Sequence, residues 1–216
     1  MWSSPSIIVD LGCGAVAPGS SAVQRTAPVI RHHALMAMDE TSGSGRGPRH
    51  EGLVIRRIGP SEGDTLKALR LRALAEEPEA FGETAAEAEA RDEAEYRARA
   101  RAGSAGDRRA WFLGELDDVA SPVGLAMGRR RPPDDCMVFS VWVAEAARGR
   151  GVGRALVASV AGWARAWGAR RLVLWVFRSN TAAIRFYERL GFIIEAAGPD
   201  ADLGAPHGAV AMHLAL

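Results

Sequence analysis

The segment VWVAEAARGRGVGRALV, Val141 to Val157, constrains the fold of this chain more than any other. An apolar run suited to a strand meets a short link, then Gly149, Gly151 and Gly153 at alternate positions, then an amphipathic helical pattern. Glycine is required where the backbone turns left-handed, or where a ligand must meet the main chain with no side chain between. The following helix leaves its first amides, Arg150 to Arg154 with Val152 among them, without intrahelical partners and at the positive end of its dipole. Strand, glycine turn and helix N-terminus in that order make an anion site, and Arg148, Arg150 and Arg154 add charge to it. The ligand expected there is a phosphate or pyrophosphate.

Two familiar phosphate loops fail against these residues. A P-loop needs Lys followed by Ser or Thr, and the only lysine in the chain is Lys67. A dinucleotide fingerprint beginning at Gly149 needs Gly or Ala where Arg154 stands, and meets Ala169, Arg170 and Arg171 where its acidic residue belongs. The string DLGCG, Asp10 to Gly14, resembles the cofactor loop of S-adenosylmethionine-dependent methyltransferases. The strand and helix units which that fold needs do not follow; Pro18, Gly19, Ser20 and Ser21 do.

The rest of the chain supplies the frame. Residues 1 to 52 carry few periodic apolar positions and end in the Gly, Ser and Pro mixture TSGSGRGPRHEG, so they read as a flexible tail and linker before a domain at 53 to 216. Met36 or Met38 is an alternative start, and the first residues lack the basic region of a secretory signal. From Leu53 to Ile58 a strand is expected. A helix follows, opened by Ser61 and Asp64 at capping-box spacing and ending before Pro78. A second helix is expected from Ala85 to Ala102, capped by Thr84 with Glu87 and stopped by Gly103. Strands at 110–116, 123–128 and 137–143 form an antiparallel meander. After them come a helix at 151–167, a strand at 171–177, a helix at 181–190 and strands at 192–195 and within 210–216. Helices do not alternate with the central strands, so the class is α+β with one mixed sheet.

Composition removes several functions. Lys plus Arg total 27 against 26 Asp plus Glu, a net charge of +1, which gives no support to nucleic acid as a partner. No apolar run approaches the ~18 residues of a membrane span. Two cysteines, Cys13 and Cys136, make neither a disulfide framework nor a metal site, and a reducing, cytoplasmic setting is the default expectation.

The run RGRGVG, Arg148 to Gly153, resembles the acyl-CoA loop RxxGxG of the GNAT superfamily of N-acetyltransferases. Asn180, Ala183, Tyr187, Gly191 and Phe192 in NTAAIRFYERLGF are similar to that superfamily's second motif. The resemblance implies one central mixed, mostly antiparallel sheet flanked by helices, with acetyl-CoA as co-substrate and a primary amine, small molecule or protein N-terminus, as acceptor. It implies that the strand at 137–143 splays from the one at 172–177. Backbone groups of Val141 and Val143 would then bind the pantetheine arm, with the Val143 amide at the thioester carbonyl. The pyrophosphate would sit over Arg148 to Arg154, and Asn180, with Ala183 beside it, would reach the pantetheine. Asn180 also reads as an ordinary helix N-cap. Tyr187 would protonate the departing thiolate. Homodimers are frequent in that superfamily.

The general base is not assigned. Glu115, Asp134, Asp135 and a water held by Ser140 are candidates, and each also reads as an ordinary surface or strand residue; so do His207 and His213, while His32, His33 and His50 fall in the tail. The loop EEPEAFGE offers Glu76, Glu77, Glu79 and Glu83 around Phe81, an arrangement suited either to a cationic amine or to solvent. From Glu62 to Glu95 there are 11 acids against four bases, and from Arg129 to Phe192 12 arginines against four acids. That division suits an anionic co-substrate on one half and a basic acceptor near the other. The five tryptophans from Trp111 to Trp175 read as packing residues. A non-catalytic acyl-CoA-binding domain is the competing function, one that would keep the glycine loop and tolerate loss of Tyr187.

Overall fold

A computed structural model describes residues 30–31, 52–195 and 208–216. The DLGCG segment, Met36, Met38, Cys13, His32, His33, His50 and His207 lie outside them. The strands are β1 (Ile30–Arg31), β2 (Leu53–Arg57), β3 (Arg109–Leu116), β4 (Gly124–Arg131), β5 (Asp135–Val143), β6 (Arg171–Phe177), β7 (Ile193–Ile194) and β8 (Ala209–Ala215). The helices are α1 (Gly63–Glu76), α2 (Ala85–Ala90), α3 (Glu93–Ser104), α4 (Val152–Ala166) and α5 (Thr181–Arg189). They build the expected α+β arrangement, one sheet of order β1-β2-β3-β4-β5-β6-β8-β7. Every pairing is antiparallel except β5 with β6. The short β1, inside the segment read as tail, pairs with the β2 edge through Ile30 opposite Ile55.

Glycines on the sheet decide where α4 lies. A Cβ at Gly114 or Gly124 would stand 2.8 Å from Val152 Cγ1, and one at Gly128 2.9 Å from Val160. These three positions on β3 and β4 form a flat strip into which α4 lowers Val152, Leu156 and Val160, all buried. The opposite face receives α3, whose Gly103 lets the helix approach Trp111: a Cβ there would meet Trp111 Cδ1 at 2.2 Å. Gly103 is therefore a packing residue inside α3, and the expectation that it stops the helix is corrected, since α3 continues to Ser104.

Two further expectations about helices are corrected. The single helix from Ala85 to Ala102 is two, because Arg91 leaves the helical region at ψ 135 and Asp92 caps a new start, accepting from the Ala94 amide. Two competing N-caps, Thr84 with its complete capping box and Asp92, sit too close for one helix to satisfy both. At α1 the Ser61 and Asp64 box does not form; Glu62 takes the N-cap position with no side-chain cap. Its carboxylate instead accepts from the Gly59 amide and from Arg56, a charge-assisted fork that outcompetes the cap.

Candidate active site

Strands β5 and β6 pair over Asp135↔Arg171, Cys136↔Leu172 and Met137↔Val173, and then part. Asp135 holds the closed end: nearly buried, it takes two bonds from Arg171 at 2.7 and 3.0 Å, and Arg171 also bonds Glu195 at 2.9 Å. The open end is shaped by a bulge. The β4–β5 register shifts between Leu125 and Met127, and on β5 Ser140 takes φ +53, a left-handed value rare for serine.

Beyond the bulge the direction of the backbone groups follows from alternation. The Ala144 amide donates to the Val123 carbonyl, on the β4 side, so the polar groups of Val143 and Val141 point away from β4 into the gap that β6 has left. The Val143 carbonyl accepts from Arg148 Nε at 3.2 Å, in keeping with that direction.

The gap runs to the glycine loop. Gly149 and Gly151 have φ +75 and +80, so both need glycine for conformation. Gly151 is the N-cap of α4 and provides no side-chain cap; the first helical bond runs from the Ala155 amide to the Gly151 carbonyl, which leaves the amides of Val152, Gly153 and Arg154 without intrahelical acceptors. Gly153 is needed for space, since a Cβ would stand 3.1 Å from Phe186 and 3.5 Å from Val143. Arg148 pairs with Glu77 at 2.7 Å and Arg150 with Asp118 at 2.9 Å; Arg154 is exposed, with no acidic partner among the described residues. Both pairs are exposed and worth less than about 1 kcal/mol, so little holds the two guanidinium groups in place.

Tyr187 lies on α5, 8% exposed, its ring edge-on to Phe186 and Phe192. Burial pushes its phenol well above the usual tyrosine range, and among the described residues its hydroxyl has no hydrogen-bond partner. Asn180 is the N-cap of α5: its Oδ1 accepts from the Ala183 amide at 3.0 Å, leaving its side-chain NH2 for another acceptor.

Of the candidate bases, Glu115 accepts from Arg56 and Asp135 is committed to Arg171, while His213 Nδ1 lies 3.1 Å from Glu195 and Asp134 is half-buried in the turn before β5. Cys136 is fully buried, and desolvation pushes its thiol up to about 12, so it is no nucleophile. The acidic loop is neutralised by arginines of neighbouring elements: Glu76 pairs with Arg72, Glu77 with Arg148, and Glu83 with both Arg70 and Arg91. Only Glu79 lacks a basic partner among the described residues, so the expected attraction for a cationic amine is not built there. Arg70 and the Ser140 bulge are the features that sequence reasoning missed; neither residue type carries a local signal for such a role.

Comparison with known proteins gives the family and the fold. A family model, the acetyltransferase (GNAT) family, matches residues 71–192. A mycothiol acetyltransferase of Salinispora tropica is 33% identical over 152 residues, 67% of this chain and 46% of that protein. One of Corynebacterium glutamicum is 38% identical over 83 residues, covering 38% of this chain and 27% of that protein. The chain thus spans less than half the length of these relatives. Among solved structures, an acetyltransferase of the GNAT family from Streptococcus pneumoniae aligns with TM-score 0.60 and 21% identity, over 76% of this chain and 99% of that one. The putative acetyltransferase yncA of Salmonella typhimurium, solved with its cofactor acetyl-CoA, aligns with TM-score 0.58 and 22% identity, over 77% and 95%.

Proposed function

Because the chain belongs to the GNAT family of acetyltransferases, we propose that it transfers an acetyl group from acetyl-CoA directly to a primary amine, with no covalent enzyme intermediate. The observation that carries this reading is the parting of β5 and β6 after Met137, which leaves the Val141 and Val143 backbone facing a gap that ends at the uncapped α4.

The residues fit the co-substrate piece by piece. Open amides at Val152, Gly153 and Arg154 suit a pyrophosphate, with Arg148, Arg150 and Arg154 supplying counter-charge. The pantetheine arm lies along β5 as an added strand, bonded by Val143 and Val141, with the Asn180 amide on its other side. Val143 packs against Gly153 at the pyrophosphate end, so the thioester, at the far end of the arm, belongs beside Val141 and the bulge. Its carbonyl is therefore assigned to the Val141 amide, two residues before the Val143 amide expected from sequence. There the N–H stabilises the oxyanion formed when the amine attacks.

The neutral amine forms a bond from nitrogen to the acetyl carbon, the carbon–sulfur bond breaks, and the sulfur takes a proton from the Tyr187 hydroxyl. Burial keeps the phenol protonated before transfer, and the phenolate left behind takes back a proton from the water that received the amine's. The amine's own proton leaves through water, since Glu76, Glu77, Glu83 and Glu115 are each held by an arginine.

The test is the thermal midpoint of the purified chain with acetyl-CoA, CoA, NAD and S-adenosylmethionine, each in large excess. A ligand bound only by the folded state adds about 2.7 kcal/mol at 100 times its Kd. A shift with acetyl-CoA and CoA alone is expected; a folded protein that shifts with neither overturns the reading.

A further inference from the structure

Arg70 on α1 is a held cation whose donors are not all used. Its Nε and Nη2 both reach Glu83 Oε2 at 2.9 Å, and Arg91 bonds the other oxygen of the same carboxylate. One carboxylate is thus divided between two guanidinium groups. Nη1 of Arg70 has only Ser140 Oγ, at 3.4 Å, which is long for a hydrogen bond. The group is fixed in place: it stacks 4.4 Å over the Phe81 ring, and its side chain is 13% exposed. A buried guanidinium with an unused edge favours an anion that offers two oxygens in its plane.

The place where that edge points is informative. Ser140 is the bulge residue, next to Val141, where the thioester carbonyl is assigned. Register puts Phe139, Trp142 and Met137 on one face of β5, opposite Met127, Leu125 and Arg129. From that face Phe139 meets Trp175 of β6 edge-on at 6.3 Å, both half-buried, across the point where the strands part. A cation and an aromatic pair therefore flank the acetyl end of the cleft.

We infer that the acceptor is a small molecule carrying both a primary amine and a carboxylate, as an amino acid does, and that Arg70 is the specificity residue that holds the carboxylate while the amine faces the thioester. This rests on the acyl-transfer reading and narrows its acceptor. The amine nitrogen gains the acetyl carbon and loses a proton, CoA leaves as the thiol, and the carboxylate is unchanged. The division of charge read from sequence pointed toward a basic acceptor; the pairing of the acidic loop with neighbouring arginines removes that attraction.

The experiment measures CoA release from acetyl-CoA with matched pairs of acceptors, L-amino acids and their C-terminal amides, the aromatic and aliphatic ones included. At least one acid is expected to exceed its amide about tenfold in kcat/KM. Arg70→Gln should bring that ratio to about one, and Arg70→Lys should keep part of it. The ratio is internal to each variant, so a general loss of rate from a disturbed Glu83 does not imitate the effect. A panel in which no acid exceeds its amide, silent pairs included, overturns the inference, as does an Arg70→Gln variant that keeps the preference. If acetyl-CoA still shifts the thermal midpoint, acyl transfer survives that failure; if it does not, the acetyltransferase reading is what failed.

Discussion

At the scale of single residues, burial is what sets apart Tyr187, the proposed proton donor. Desolvation disfavours the phenolate, so the folded protein keeps the phenol protonated at pH values where a free tyrosine has begun to lose its proton. Tyr187→Phe is expected to lower kcat by about 10²-fold with CoA affinity unchanged, read by steady-state kinetics beside a CoA titration. An unchanged kcat would remove Tyr187 from the reaction. For the same reason the kcat profile should not fall as pH rises through 10, the ordinary tyrosine value. Tyr187 was legible in sequence because its spacing from Asn180 and Gly191 belongs to a motif. Arg70 was not, because the partner that gives it meaning, Ser140, lies 70 residues away.

At the scale of elements, α4 is positioned by absent side chains on the strands beneath it. Gly114→Ala would press its Cβ on Val152 Cγ1, at the first residue of α4, and displace the amides proposed to hold the pyrophosphate. CoA affinity should fall several-fold, and adding Val152→Ala should restore much of it, because the second change removes the atom that the first one strikes. A double variant no better than the single would show that α4 is held by something else. The strand and helix periods were readable along most of the chain. The break between α2 and α3 was not: two good N-caps, Thr84 and Asp92, compete within one acidic stretch, and pattern alone does not say which wins.

At the scale of the whole molecule, the cleft depends on a sheet that is closed at one end and open at the other. Asp135→Ala removes the anion from Arg171 at the closed end and should cost about 2–3 kcal/mol, lowering the thermal midpoint by roughly 4–10 °C. Acid should destabilise the fold as well. Arg56 holds the Glu62 carboxyl below its usual value, and bonds from Arg91 and Arg70 hold Glu83 low against the opposing effect of burial. Their stabilisation is complete above the ordinary carboxylate value of 4.5 and is lost as pH falls through the lowered ones. Glu83→Gln should flatten part of that acid limb in thermal melts. By itself the amino-acid order determined the glycine loop, the helix dipole behind it and the family, because these are properties of contiguous residues with their own backbone preferences. The tertiary structure alone decided where along β5 and β6 the strands part, that arginines from neighbouring elements neutralise the acidic loop, and that Arg70 reaches the bulge, because each depends on contacts between residues far apart in the chain.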